Sequence, residues 1–124
     1  MIANTFFISP GDVLYRRKGL FFEHVGVYLG WNLVFQNTPK AGEHFVSLAD
    51  FTQGHPYRVR RTGVPQHLLN WRTQLRLQQP RRYNLLLNNC EHTASALTDG
   101  ESWSPQLFAG LVICGLVAFC LARK

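Results

Sequence analysis

The stretch from Leu107 to Ala122 constrains this chain more than any other, because its sixteen residues include no charged side chain and only Gly110 and Gly115 interrupt the apolar ones. A helix over that run is about 24 Å long at ~1.5 Å per residue, somewhat short of the ~30 Å thickness of a bilayer's hydrocarbon. The run is apolar on every face, Trp103 before it suits a membrane interface, and Arg123 and Lys124 after it can snorkel. Its two glycines would weaken a helix in water. A membrane anchor is therefore favoured over a buried or interfacial helix, the alternatives that a short apolar run leaves open. Residues 1–100 remain for one small domain, and residues 101–124 form the anchor.

Charge adds a second constraint. The net charge is +6, with Arg16, Arg17, Lys18, Arg58, Arg60, Arg61, Arg72, Arg76, Arg81 and Arg82 spread through the body. Such a balance favours anionic partners, lipid headgroups or nucleic acid. No RNP aromatics, zinc-finger spacing or basic region with heptads is present, so nucleic acid is not expected. Arg72 and Arg76, one helical turn apart, read equally well as a solvated face. Cys114 and Cys120 lie in the apolar run and leave Cys90 alone in the polar body, which argues against a disulfide framework. Met1 to Pro10 do not resemble a secretory signal, so the body is expected in a reducing cytoplasm.

Along the body, the patterning predicts an α+β domain in which a small antiparallel sheet packs against helices. Gly11 to Arg16 reads as a turn into a strand, and His24 to Leu29 as a second strand stopped by Gly30. Leu33 to Gln36 closes a hairpin through Gly30-Trp31-Asn32. Glu43 to Ser47 and Tyr57 to Arg61 are further strands, with a helical turn at Leu48 to Phe51. Pro65 opens a helix that Pro80 stops, and Leu68, Trp71 and Leu75 recur in it at the spacing of a core stripe. Asn84 to Leu87 is a brief apolar segment. Asn88 or Asn89 then caps a helix through Leu97 that ends at Asp99-Gly100.

That cap places Cys90 in a first helical turn, where free N–H groups and the helix dipole favour a thiolate and offer donors to an oxyanion. A histidine nearby would serve as general base. Taken singly, a strand histidine and a lone cysteine are more often structural. His24, His44, Cys90 and His92 lack paired metal-ligand spacing, and no cofactor or metal is expected.

Here the chain resembles a known family. Gly11-Asp12-Val13-Leu14, His24-Val25-Gly26-Val27-Tyr28-Leu29-Gly30 and Asn89-Cys90-Glu91-His92 are similar to the GD, H-box and NCEH motifs of the lecithin:retinol acyltransferase-like family. That family is the permuted branch of the NlpC-type, papain-like thiol hydrolases, and several members carry a short C-terminal membrane helix. The resemblance covers Pro10 to Leu97 and implies a permuted papain-like fold with Cys90 as nucleophile and His24 as base. The family's second polar position, commonly histidine, falls on Gln36. A glutamine carbonyl can accept the His24 ring N–H and fix its tautomer, though it stabilises imidazolium less than a carboxylate does. His44 is the fallback for this third position. Thr93 stands where the family has an aromatic residue. His92 lies about 200° round the helix from Cys90 and is read as a structural contact, while Glu91 suits the dipole and His55 and His67 suit the surface.

Three functions follow as expectations. The first is acyl transfer or hydrolysis on a lipid ester through a thioacyl enzyme on Cys90, by a single-pass protein whose catalytic domain faces the cytoplasm. The alternatives are a peptidase or amidase, and a non-catalytic membrane-associated binding module that keeps the fold.

Overall fold

The computed structural model describes residues 8–20, 22–85, 88–100 and 104–122. Strands β1 (Val13–Lys18), β2 (Phe22–Gly30), β3 (Leu33–Thr38) and β4 (Gly42–Ser47) follow one another. Helix α1 (Leu48–Thr52), strand β5 (Tyr57–Arg60) and helices α2 (Gln66–Gln78), α3 (Cys90–Thr98) and α4 (Pro105–Ala122) complete the chain. The strands form one antiparallel sheet in the order β4-β3-β2-β1-β5. The architecture is thus α+β, as the patterning predicts. Trp103, Arg123, Lys124, Leu86, Leu87 and residues 1–7 lie outside the described residues, and with them the interfacial, snorkelling and leader readings.

The β2–β3 hairpin turns through Trp31 and Asn32, both at positive φ (52° and 64°). Two such residues match the right-handed twist of the flanking strands. Strand alternation then sorts the core into two layers. Val13, Val25, Val27 and Phe35 face Leu69 of α2 and Ala94 and Leu97 of α3. Leu14 and Val34 face Phe51 of α1 on the other side of the sheet.

Helix α2 corrects two expectations. Its buried residues are Leu69 and Thr73, whereas Trp71 and Leu75 are exposed at 60 % and 46 %. The helix is turned by its arginines. Arg76 donates to the buried Glu43 carboxylate at 2.6 Å, and Arg72 reaches the last carbonyls of α3, Leu97 and Thr98, at 3.1 Å each. Positions 69, 72, 73 and 76 therefore make the inward stripe, and Arg72 and Arg76 are not a solvated face.

Helix α4 buries none of its 18 residues against the rest of the chain, and with a mean hydropathy of 2.1 it is long and apolar enough to cross a membrane.

Candidate active site

Strand β2 carries His24, and its alternation sets the site's geometry. Tyr28 accepts from the Gly11 amide at 2.7 Å and donates to the Asp12 carbonyl at 2.9 Å, on the β1 side. Even-numbered β2 residues thus turn their backbone groups toward β1, and Glu23 and Val25 turn theirs toward β3. Pairing with β3 starts only at Gly26↔Gln36, while pairing with β1 reaches back to Phe22. A free backbone edge results at Glu23 to Val25.

The loop before α3 and the helix's first residue fill this gap. The side-chain amide of Asn37, at the end of β3 and fully buried, donates to the Asn88 carbonyl at 2.7 Å and to Thr93 Oγ1 at 3.1 Å. Cys90 then sits at the open edge, where its thiol donates to the Glu23 carbonyl at 4.0 Å and its sulfur accepts from the Val25 amide. These two groups flank the residue between them. The sulfur therefore stands at the edge of β2 beside His24, and its hydrogen bond runs to that backbone rather than to the imidazole.

The His24 ring projects to the α1 face, 5.3 Å from the Phe51 ring between centroids. Gly26 keeps this face open, because a Cβ there would lie 2.7 Å from both Phe51 and Val34. Opposite, Gln36 pairs across to β4, where its partner in register is His44.

A chain of hydrogen bonds links the three polar side chains and fixes their protons. His44 Nδ1 stands 2.8 Å from the Gly42 carbonyl, which can only accept, so Nδ1 carries the hydrogen. In the neutral ring Nε2 is then an acceptor, and it takes a hydrogen from Gln36 Nε2 at 3.0 Å. This orients the Gln36 amide so that Oε1 faces His24 Nε2 at 2.8 Å. His24 donates there, and its Nδ1 is left with a lone pair. Burial lowers the His24 pKa below the ordinary histidine value, with the Gln36 contact opposing and the nearby Arg16, Lys18 and His44 adding to the fall. The ring thus rests as a neutral base. His44, the fallback for the third position, stands behind Gln36 as the third side chain of the hydrogen-bond chain.

The helix start behaves differently from expectation. Asn89 is the N-cap, and its Oδ1 accepts from the Glu91 and His92 amides at 2.9 and 3.1 Å. In return His92 Nδ1 accepts from the Asn89 amide at 3.1 Å, completing a capping box. His92 is the structural contact that its helical angle implies. The cap takes the N–H groups of Glu91 and His92, so they are not open to an oxyanion. Burial moreover pushes the Cys90 thiol up, with the Glu91 carboxylate adding and the Val25 amide opposing. The dipole's pull toward thiolate is outweighed, and the resting thiol and the resting imidazole are each neutral.

Glu91, read from sequence only as suiting the helix dipole, and Gln106, which sequence reasoning missed, complete the site. The buried Glu91 carboxylate accepts from Ser104 Oγ at 2.6 Å and from the Gln106 amide at 2.9 Å. The Gln106 side chain accepts from the Glu23 amide at 3.3 Å and donates to the Glu23 carbonyl at 3.4 Å. It pairs with the β2 edge as a strand would, and it shares the Glu23 oxygen with the Cys90 thiol. Nothing in the spacing marks Gln106, because only the folded chain brings the start of α4 to β2. His55 and His67 are exposed. Among the described residues no group of three or more His, Cys, Asp or Glu could hold a metal ion. The chain matches no protein-family model and no curated protein sequence.

Proposed function

We propose that this protein is a membrane-anchored thiol acyltransferase or hydrolase that acts on lipid acyl esters, built on the permuted papain-like plan. The observation that carries this reading is the chain from Gly42 through His44 and Gln36 to His24. It leaves His24 Nδ1 as an unprotonated base on the buried β2 residue that the Cys90 thiol flanks. The proton of the thiol passes to His24 Nδ1 as sulfur attacks the ester carbonyl. Collapse of the tetrahedral intermediate breaks the C–O bond, and the departing alkoxide takes the proton back from His24. Water or an amine then attacks the thioester by the same route, releasing acid or amide and restoring the thiol. Throughout, the Gln36 carbonyl holds Nε2–H and keeps Nδ1 the working nitrogen.

Two features direct the chemistry to lipid. The Glu91 and Gln106 contacts fasten the first turn of α4 to the Cys90 site, so an α4 inserted in a bilayer would hold the thiol at its surface. The basic body suits anionic headgroups.

Incubating the full chain with phosphatidylcholine vesicles and analysing it by intact mass tests the reading. A fatty acyl adduct on Cys90 that His24→Ala abolishes is expected. Unmodified Cys90 and unchanged lipid would overturn it. The hydrogen bond from the resting thiol to Glu23 and the upward push on its pKa favour the binding-module alternative. That alternative requires iodoacetamide alkylation of Cys90 to follow an ordinary buried thiol across pH, unaltered by His24→Ala.

A further inference from the structure

A groove of about 570 Å³ runs from Cys90 along α4, within the ~300–1,000 Å³ of small-molecule sites. Phe22 and Leu85 of the domain face Leu107, Gly110 and Leu111 of α4 across it, and Cys114 closes the far end. Leu107, Gly110, Leu111 and Cys114 share one helix face and span about 10 Å. A Cβ at Gly110 would meet nothing within 4 Å, so the glycine leaves this part of the wall open.

We propose that this groove is the binding site for one fatty acyl chain, entered sideways from the bilayer, and that α4 is a wall of the active site as well as an anchor. The proposal rests on the acyl-transfer reading and adds to it the place and class of the acyl group.

Hydrogen bonding selects the occupant. A peptide laid in the groove would need partners for its own N–H and C=O groups, and the natural partner is the free β2 edge. That edge is taken at Glu23, whose amide and carbonyl both bond Gln106. Glu91 Oε1 is likewise held by Ser104 and Gln106. Burying a peptide against the remaining apolar walls would leave its backbone unsatisfied, whereas a hydrocarbon chain carries no such cost. The surroundings point the same way. Leu20, Phe22 and Leu85 are 82, 61 and 65 % exposed, and α4 buries none of its residues against the protein. With α4 in a membrane, the groove opens on hydrocarbon.

The test uses the full chain in phosphatidylcholine nanodiscs, with p-nitrophenyl acetate, octanoate and dodecanoate as acyl donors and Cys90 acylation read by intact mass. Dodecanoate is expected to acylate Cys90 at least about tenfold faster than acetate, since each chain segment bound in an apolar pocket adds to the rate. Gly110→Phe fills the groove and should cut the dodecanoate rate by about tenfold or more and the acetate rate by less. Gly115→Phe, outside the groove, should alter neither. Leu111→Trp obstructs the same wall if Gly110→Phe fails to insert. Equal wild-type rates for acetate and dodecanoate, or a dodecanoate rate that both obstructing variants leave intact, would overturn the groove while sparing the thiol chemistry. Acylation by none of the esters would overturn both.

Discussion

Replacing Gln36 by glutamate places a carboxylate between two imidazoles and tests the hydrogen-bond chain at its centre. In the wild type Gln36 Oε1 accepts from His24 Nε2 at 2.8 Å, and the amide donates to His44 at 3.0 Å. Gln36→Glu keeps the first contact and makes it charge-assisted, which strengthens such a bond to about 1.5–3 kcal/mol. At ~1.4 kcal/mol per factor of ten, the proton affinity of His24 rises about ten- to hundredfold. The stability response to acid changes with it. In the wild type burial lowers the His24 pKa, so below about pH 6.5 the unfolded chain binds more protons than the native one, and acid destabilises the fold. In Gln36→Glu the raised native pKa narrows that difference, so acid destabilises the variant less than the wild type. Between pH 8 and 5.5 the variant should gain about 1–3 kcal/mol relative to the wild type. Guanidinium unfolding of the full chain in detergent micelles, with imidazole nitrogen shifts followed by NMR, measures both effects. A His24 titration identical in the two proteins would refute the arrangement.

Asn89→Ala removes the acceptor of the Glu91 and His92 amides and should cost about 1–2 kcal/mol in guanidinium unfolding. Gly26→Ala drives a Cβ to 2.7 Å from Phe51 and Val34; a loss of about 1–3 kcal/mol is expected, and the double variant with Val34→Ala should lose less than the sum of the two single losses. Arg76→Met strips the buried Glu43 carboxylate of its 2.6 Å partner and should lower stability by about 3–5 kcal/mol, with Glu43→Gln restoring part of it in the same unfolding assay.

The local chemistry of the chain was legible in the sequence wherever a signal is short-range. Alternation placed β2 and β3, Gly30-Trp31-Asn32 marked the hairpin, Asn88-Asn89 announced a helix start that the structure caps with Asn89, and the uncharged run from Leu107 announced α4. What depended on distant partners was not. The inward face of α2 follows Arg72 and Arg76 because Glu43 and the end of α3 draw them in, and hydrophobic spacing alone put Leu68, Trp71 and Leu75 there instead. The thiol environment also escaped local rules, because Asn89 accepts from the Glu91 and His92 amides and burial pushes the thiol pKa up. Gln106 joined the site only through tertiary structure: a hydrogen bond needs two groups within about 3 Å, and nothing in the linear order brings Gln106 to Glu23. Sequence by itself determined which residues can form strands, caps, thiol and apolar helix, since those depend on neighbours a few positions away. Only the tertiary structure decided which protons those side chains hold and what closes around Cys90, because both depend on contacts between residues far apart in the chain.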